Sequence, residues 1–149
     1  MAEFLAGALQ TVQLNNPLIF TSSIPCNRGF VYHEDETGNF ILRGIVNNPS
    51  CCFTRYQVTF NGNIAVPTGG TVGPIAVAVT VNGEPRLTSR AIVTPAAVEE
   101  FNNVTSTAII TVPKGCCFNL SVRAVAASTD ATTTAIEAQD ANFVINRIS

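Results

Sequence analysis

Five cysteines, Cys26, Cys51, Cys52, Cys116 and Cys117, are the side chains best able to do chemistry in this chain, and four of them stand as two adjacent pairs. Successive residues of a strand project to opposite faces. Each pair can therefore set one thiol toward a core and the other toward a neighbouring strand or subunit, a geometry suited to cross-linking between chains. An odd count leaves one thiol without a mate inside a monomer, so either an intermolecular bridge or a buried, reduced cysteine is required. All five are disulfide candidates, and their order along the chain does not fix how they pair.

The only local concentration of ionisable groups is His33-Glu34-Asp35-Glu36, and His33 is the single histidine. One imidazole is too little to complete a zinc site, and calcium needs oxygen ligands converging from several segments rather than carboxylates on one turn. The run reads as a solvated hairpin tip. A cysteine nucleophile would need His33 brought to Cys26, Cys51 or Cys116 by the fold. No Cys-x-x-Cys or Gly-x-Ser-x-Gly spacing occurs, and Gly69-Gly70 lacks the lysine and helix of a phosphate loop. The expectation is a protein that is not an enzyme, with no catalytic residues, no metal and no cofactor. Asn103-Val104-Thr105 and Asn119-Leu120-Ser121 match the glycosylation acceptor pattern, which is frequent by chance, and neither is expected to be used.

The 149 residues suffice for one domain with one core. Hydrophobic residues make up 46% and charged residues only 12%, and the mean hydropathy is +0.29. A surface so short of charge points to an oligomer that buries part of it. The net charge of −2, with eight scattered Lys and Arg residues, offers no basic stripe for nucleic acid. No apolar run approaches the roughly 18 residues that span a bilayer. The apolar stretch Phe4 to Leu9 follows Glu3 rather than a basic segment, so it does not read as a secretory signal. Residues 1–11 are set apart as an N-terminal segment that could serve as an assembly arm, and 12–149 as the domain.

Nearly every segment of that domain is a short β-branched or aromatic run bounded by Gly, Pro, Asn or Asp, the pattern of an antiparallel sandwich of eight to ten strands. Strands are expected over 11–20, with a break at Asn15-Asn16-Pro17, and over 29–34 and 40–46 as a hairpin. Further strands are expected over 53–60 and, beyond a turn at Asn61-Gly62-Asn63, over 64–66. Asn82-Gly83 is the strongest hairpin signal and joins 73–81 to 86–93. Residues 95–100 are the one candidate helical turn. Pro113-Lys114-Gly115 is expected to close a hairpin between 105–112 and 117–126, and a terminal strand covers 141–148. Phe20, Phe30, Phe60, Phe118 and Phe143 are read as core rather than as a sugar-stacking platform. The run Ile75 to Val81 is apolar on both faces, whereas a sandwich covers only one face of each sheet, so Ile75, Val77, Val79 and Val81 are the candidates for a subunit interface.

This order of elements resembles the C1q and tumour necrosis factor type of jelly roll, especially the C-terminal domains of bacterial collagen-like proteins of the spore exosporium. The resemblance rests on Gly73-Pro74-Ile75-Ala76-Val77-Ala78-Val79-Thr80-Val81-Asn82-Gly83-Glu84-Pro85, on Thr107 to Gly115 and on Ala141 to Ile148. It implies compact homotrimers that act as structural or adhesive heads. The chain departs from the pattern in having no collagen-like stalk, no Trp and the doubled cysteines. The resulting expectation is a self-assembling structural protein of a spore, cell or particle surface, locked by disulfides. The alternative is a carbohydrate- or receptor-binding head. The expected partner is the chain itself, with a surface glycan or other coat proteins as further partners, and with neither nucleic acid nor membrane insertion. An exosporium or other extracellular location without a recognisable signal peptide follows from the resemblance, because coat proteins meet oxidising conditions only after the cell that makes them lyses.

Overall fold

The computed structural model describes residues 2–24, 30–34, 36–46, 49–129 and 133–148. Its strands are β1 (Ala2–Ala6), β2 (Gln10–Gln13), β3 (Ser22–Ile24), β4 (Val31–His33), β5 (Phe40–Arg43), β6 (Phe53–Ala65), β7 (Ile75–Val81), β8 (Glu84–Pro85), β9 (Ala91–Val93), β10 (Asn102–Pro113), β11 (Cys117–Val125) and β12 (Ala135–Arg147). They form two six-stranded antiparallel sheets. The first runs β10-β6-β12-β1-β3, with β2 also on β12, and the second runs β4-β5-β11-β7-β8, with β9 also on β7. This is the expected jelly-roll sandwich, with more strands than the expected eight to ten because short edge pieces also pair.

The core lies between the sheets. Alternation along β6 sends Tyr56, Val58, Phe60 and Ile64 inward, while Arg55, Gln57, Thr59, Asn61 and Asn63 face out. Phe4, Phe20, Phe40 and Phe143 meet at its centre as tilted and edge-on rings, with centroids 4.6 to 5.9 Å apart. Phe60 is fully buried, and Phe30 and Phe118 are partly buried against the same core.

Several local expectations give way to longer-range pairing. Residues 2–6, set apart in the sequence, are a strand inside the first sheet, paired with both β12 and β3 and burying Phe4. Asn61-Gly62-Asn63 is not a turn: β6 runs straight through it against β10, from Phe53 opposite Pro113 to Ile64 opposite Asn102. Gly62 is there for close packing, since a Cβ at this position would stand 2.9 Å from Cζ of Phe60 and 3.1 Å from Cβ of Ala141. Pro113-Lys114-Gly115 does not close a hairpin either. β10 pairs with β6 while β11 pairs with β5 and β7, so this turn carries the chain from one sheet to the other. Residues 95–100 contain no helix, and only Leu87–Ser89 forms a single 3-10 turn within the expected strand 86–93. Asn82-Gly83 turns as expected, with φ of 52° and 85°.

β7 is buried along its whole length. Ile75, Val77, Val79 and Val81 belong to the core between the sheets, where they meet the domain's own residues rather than a partner's. The opposite face presents Ala76, Ala78 and Thr80. These side chains are small enough to be covered within the chain: Ala76 and Ala78 cluster with Val125 and Ala127. Arg123, opposite Ala78 in register, reaches Oγ of Ser121 at 3.2 Å and the carbonyl of Asn15 at 3.3 Å. The second cover that the sequence assigned to another subunit is thus supplied by the domain itself.

Candidate functional site

The outer face of the first sheet is where the shortage of charge is concentrated. Strand register sets its side chains in rows across β10, β6, β12 and β1. Thr105, Asn61, Asn142 and Leu5 form one row, and Thr107, Thr59, Val144 and Glu3 the next. Asn103, Asn63 and Gln139 flank them on one side, and Ile109, Gln57 and Asn146 on the other. Amides and hydroxyls bond along the rows: Oγ1 of Thr105 donates to Oδ1 of Asn61 at 3.0 Å and Nδ2 of Asn103 to Oδ1 of Asn63 at 3.2 Å, while the hydroxyls of Thr59 and Thr107 lie 3.3 Å apart. Glu3, at the β1 margin, is the one charged member of these rows, and Nδ2 of Asn142 donates to it at 3.4 Å. Ile109 stands 56% exposed on the same face, a side chain a solvated monomer gains nothing by displaying there. Depletion of charge around exposed apolar groups is the compositional mark of an interface.

Four of the five candidate cysteines gather at one end of the sandwich. Cys51 and Cys52 lead into β6, and Cys116 and Cys117 follow the turn that leaves β10. The backbone ties these segments together. Lys114 N–H donates to the carbonyl of Cys52 at 2.9 Å, Gly44 N–H to that of Cys116 at 2.8 Å, and Cys116 N–H to that of Pro113 at 3.0 Å. All four cysteines are free and exposed. Cys26 lies outside the described residues. The ends of the described chain are nearby, with Ala2 opposite Ile145 and Ile148 N–H bonded to the carbonyl of Arg55.

The neighbourhood of this end is basic. Arg43 pairs with Cys117, Lys114 stands between the cysteine pairs, and the Arg55 guanidinium lies 4.8 Å from the centre of the exposed Phe53 ring. The Arg147 guanidinium lies 4.2 Å from the centre of the Phe30 ring and donates to the carbonyl of Ile45 at 2.8 Å. Beneath it the Tyr56 phenol is buried. Burial pushes its pKa up, against the opposing effect of the nearby Arg147 charge.

At the opposite end, loops enclose a cavity of about 230 Å³ lined by Pro67, Gly69, Gly70, Thr71, Thr133 and Thr134 among others. Beside it the buried Glu137 is hydrogen-bonded to Glu99, which also accepts a bond from the Thr68 hydroxyl. Burial, then the charge of Glu99, raises the Glu137 pKa, and its second oxygen meets no partner among the described residues.

His33 is a packing residue. Its ring stacks on Phe40 at 4.5 Å and against Phe4 at 4.9 Å, and its Nε2 lies 2.9 Å from the carbonyl of Thr37. It sits in the row of Phe40 and Leu120, three residues along β5 from the row of Arg43 and Cys117, a separation of about 10 Å. The other described cysteines lie beyond that row, so no cysteine–histidine pair forms among the described residues. No group of His, Cys, Asp and Glu able to hold a metal occurs among them, and no described helix is long and apolar enough to cross a membrane. The outer-face rows were not singled out in the sequence, although the polar half of the alternation over 53–60 and 105–112 was a readable signal of them.

No family model and no curated protein matches the sequence. Solved structures do. The globular domain of zebrafish complement 1qA protein superimposes with a TM-score of 0.62 at 13% identity, covering 99% of this chain and 96% of that one. The Eiger TNF of S. frugiperda gives 0.66 at 12% identity, covering 100% and 92%. The C-terminal domain of EclA, a sugar-binding protein, overlaps more loosely, at 0.42 and 14% identity over 93% and 79%. The domain has the jelly-roll fold of the C1q and TNF type.

Proposed function

We propose that this chain is a non-enzymatic structural domain that assembles with copies of itself into a compact trimeric head on an extracellular, cell or spore surface, with cysteine bridges securing the assembly. The observation that carries this reading is the charge-poor outer face of the first sheet, whose central rows hold Glu3 at the margin as their one charged member. On a solvated sheet face, charged side chains cost nothing and keep neighbouring molecules apart. Rows of Thr, Asn and Gln around an exposed Ile109 do neither, and a second copy is the partner whose composition suits them. The C1q- and TNF-type fold supports three-fold packing. The test is native mass by light scattering in reductant, for the wild type and for a variant carrying Thr59→Lys and Thr107→Lys. A trimer that becomes a monomer with unchanged circular dichroism is the expected result. A wild-type monomer, or a variant trimer, would overturn the reading.

A second reading, a carbohydrate-binding head, is favoured by the loop-built threonine-lined cavity at the end away from the cysteines. Saccharide binding lost on Thr71→Val together with Thr133→Val, with the native mass unchanged, would support it.

A further inference from the structure

We infer that the cysteines form a one-ended disulfide seam, by which oxidation joins copies of this chain through a single pole and so gives closed products of limited size rather than an open polymer. The reason is placement. Every described cysteine lies at the end where β6 begins and β10 gives way to β11, and the loops of the opposite end, 67–74, 94–101 and 127–129, contain none. The four thiols sit on two short segments that share the backbone bonds of Lys114 and Gly44, so the pole presents them as a unit. They are exposed and unpaired, and Cys117 follows the outward parity of exposed Asn119 on β11. A thiol facing away from its own sheet is open to attack by or on another chain.

The charge around the pole favours the chemistry. Arg43, Arg55, Lys114 and Arg147 surround the cysteines, and the described segments 43–46, 49–55, 113–117 and 147–148 hold no Asp or Glu. A small anionic disulfide such as glutathione disulfide is drawn to such a surface. A cysteine thiolate of one copy attacks that disulfide, forming a protein–glutathione bond and expelling one glutathione thiolate. A thiolate of a second copy then displaces the other glutathione. The sum is one new S–S bond between copies, with two electrons passed to the disulfide and two glutathione thiols carrying away the protons.

A molecule with reactive groups at one end can join its neighbours around a shared axis, or meet another molecule end to end. Both arrangements consume the end that bears every described thiol and leave no described thiol to continue from. The seam rests on the self-assembly reading only for the size of the product. Within a trimer, the largest covalent species is two trimers joined at their thiol ends, and for monomers that meet end to end it is a dimer.

The test uses the full chain, reduced and then incubated with glutathione disulfide, followed by non-reducing gels, thiol titration and light scattering. The expected covalent species stop at or below twice the native mass measured in reductant, and they revert on reduction. They vanish in the Cys51→Ser, Cys52→Ser, Cys116→Ser, Cys117→Ser variant, whose native mass stays that of the wild type, and they persist in Cys26→Ser. A ladder extending beyond twice the native mass would overturn the seam, as would thiols lost with only monomer on the gel, or cross-linking that survives the quadruple substitution. A protein monomeric in reductant would defeat the trimer while leaving the seam standing, if a covalent dimer still forms and disappears in the quadruple variant.

Discussion

The hydroxyl of Tyr56 donates to the carbonyl of Arg43 at 2.6 Å, and so a residue of the first sheet is bonded to the last residue of a strand in the second. The same oxygen lies 3.2 Å from the carbonyl of Phe30. This cross-sheet bond sits directly under the cysteine-bearing end and holds the segment before Cys51 to the start of β6. Tyr56→Phe removes this part-buried bond, at a cost of about 1 to 2 kcal/mol. Chemical denaturation should show that loss with an unchanged m-value, and glutathione-driven cross-linking should become faster as the two segments loosen.

Glu137 is expected to make stability depend on pH in an unusual direction. Its folded-state pKa is raised, first by burial and then by Glu99, so the folded chain holds that proton more tightly than the unfolded chain does. The stabilisation from this group is complete below the ordinary carboxylate pKa and is lost as pH rises through the raised folded-state value. Glu137→Gln carries no charge and can still donate to Glu99. It should melt higher than the wild type at neutral pH, and the difference should close in acid. A pH series of thermal melts on both proteins checks this.

Gly62→Ala tests whether this glycine serves close packing. The added methyl would press on the Phe60 ring and on Ala141, both inside the sheet, and should cost about 1 to 3 kcal/mol. Gly62 has no positive φ to relieve, so a turn-type explanation predicts almost no loss. Equilibrium unfolding separates the two.

Along β7 the faces should respond differently. Val77→Ala opens a hole in the core and should cost about 2 kcal/mol without altering the native mass. Thr80 has a buried hydroxyl that finds no partner among the described residues, so Thr80→Val should stabilise the fold by about 1 kcal/mol. Unfolding curves and light scattering on the same samples read both effects.

The two-sheet architecture was legible because it is written in local signals: alternation over Phe53 to Phe60, and Asn82-Gly83 at a hairpin. The jelly-roll resemblance was carried by the blocks around β7, β10 and β12, and the solved C1q and TNF domains have that fold. What misled was also local. Gly62 between two asparagines looks like a turn until its neighbours across the sheet are known, and only long-range pairing shows that it lies beneath Phe60. The Pro113-Lys114-Gly115 turn has hairpin chemistry, yet which strand each flank joins is decided by β5, β6 and β7, up to several tens of residues away. The run Ile75 to Val81 was rightly read as buried on both faces, but composition alone does not distinguish a partner subunit from the chain's own Val125 and Ala127 as neighbours of Ala76 and Ala78. The gathering of Cys51, Cys52, Cys116 and Cys117 at one end is a property of topology, not of spacing.

The rows of Thr59, Thr107, Asn61 and Thr105 have one more consequence. Apart from Glu3 at the margin, their contacts contain no ion for salt to screen and no group that titrates between mild acid and mild alkali. Copies joined through them should hold together from desalted water to strong brine, because the join draws on hydroxyls, amides and displaced water, none of which counts counterions.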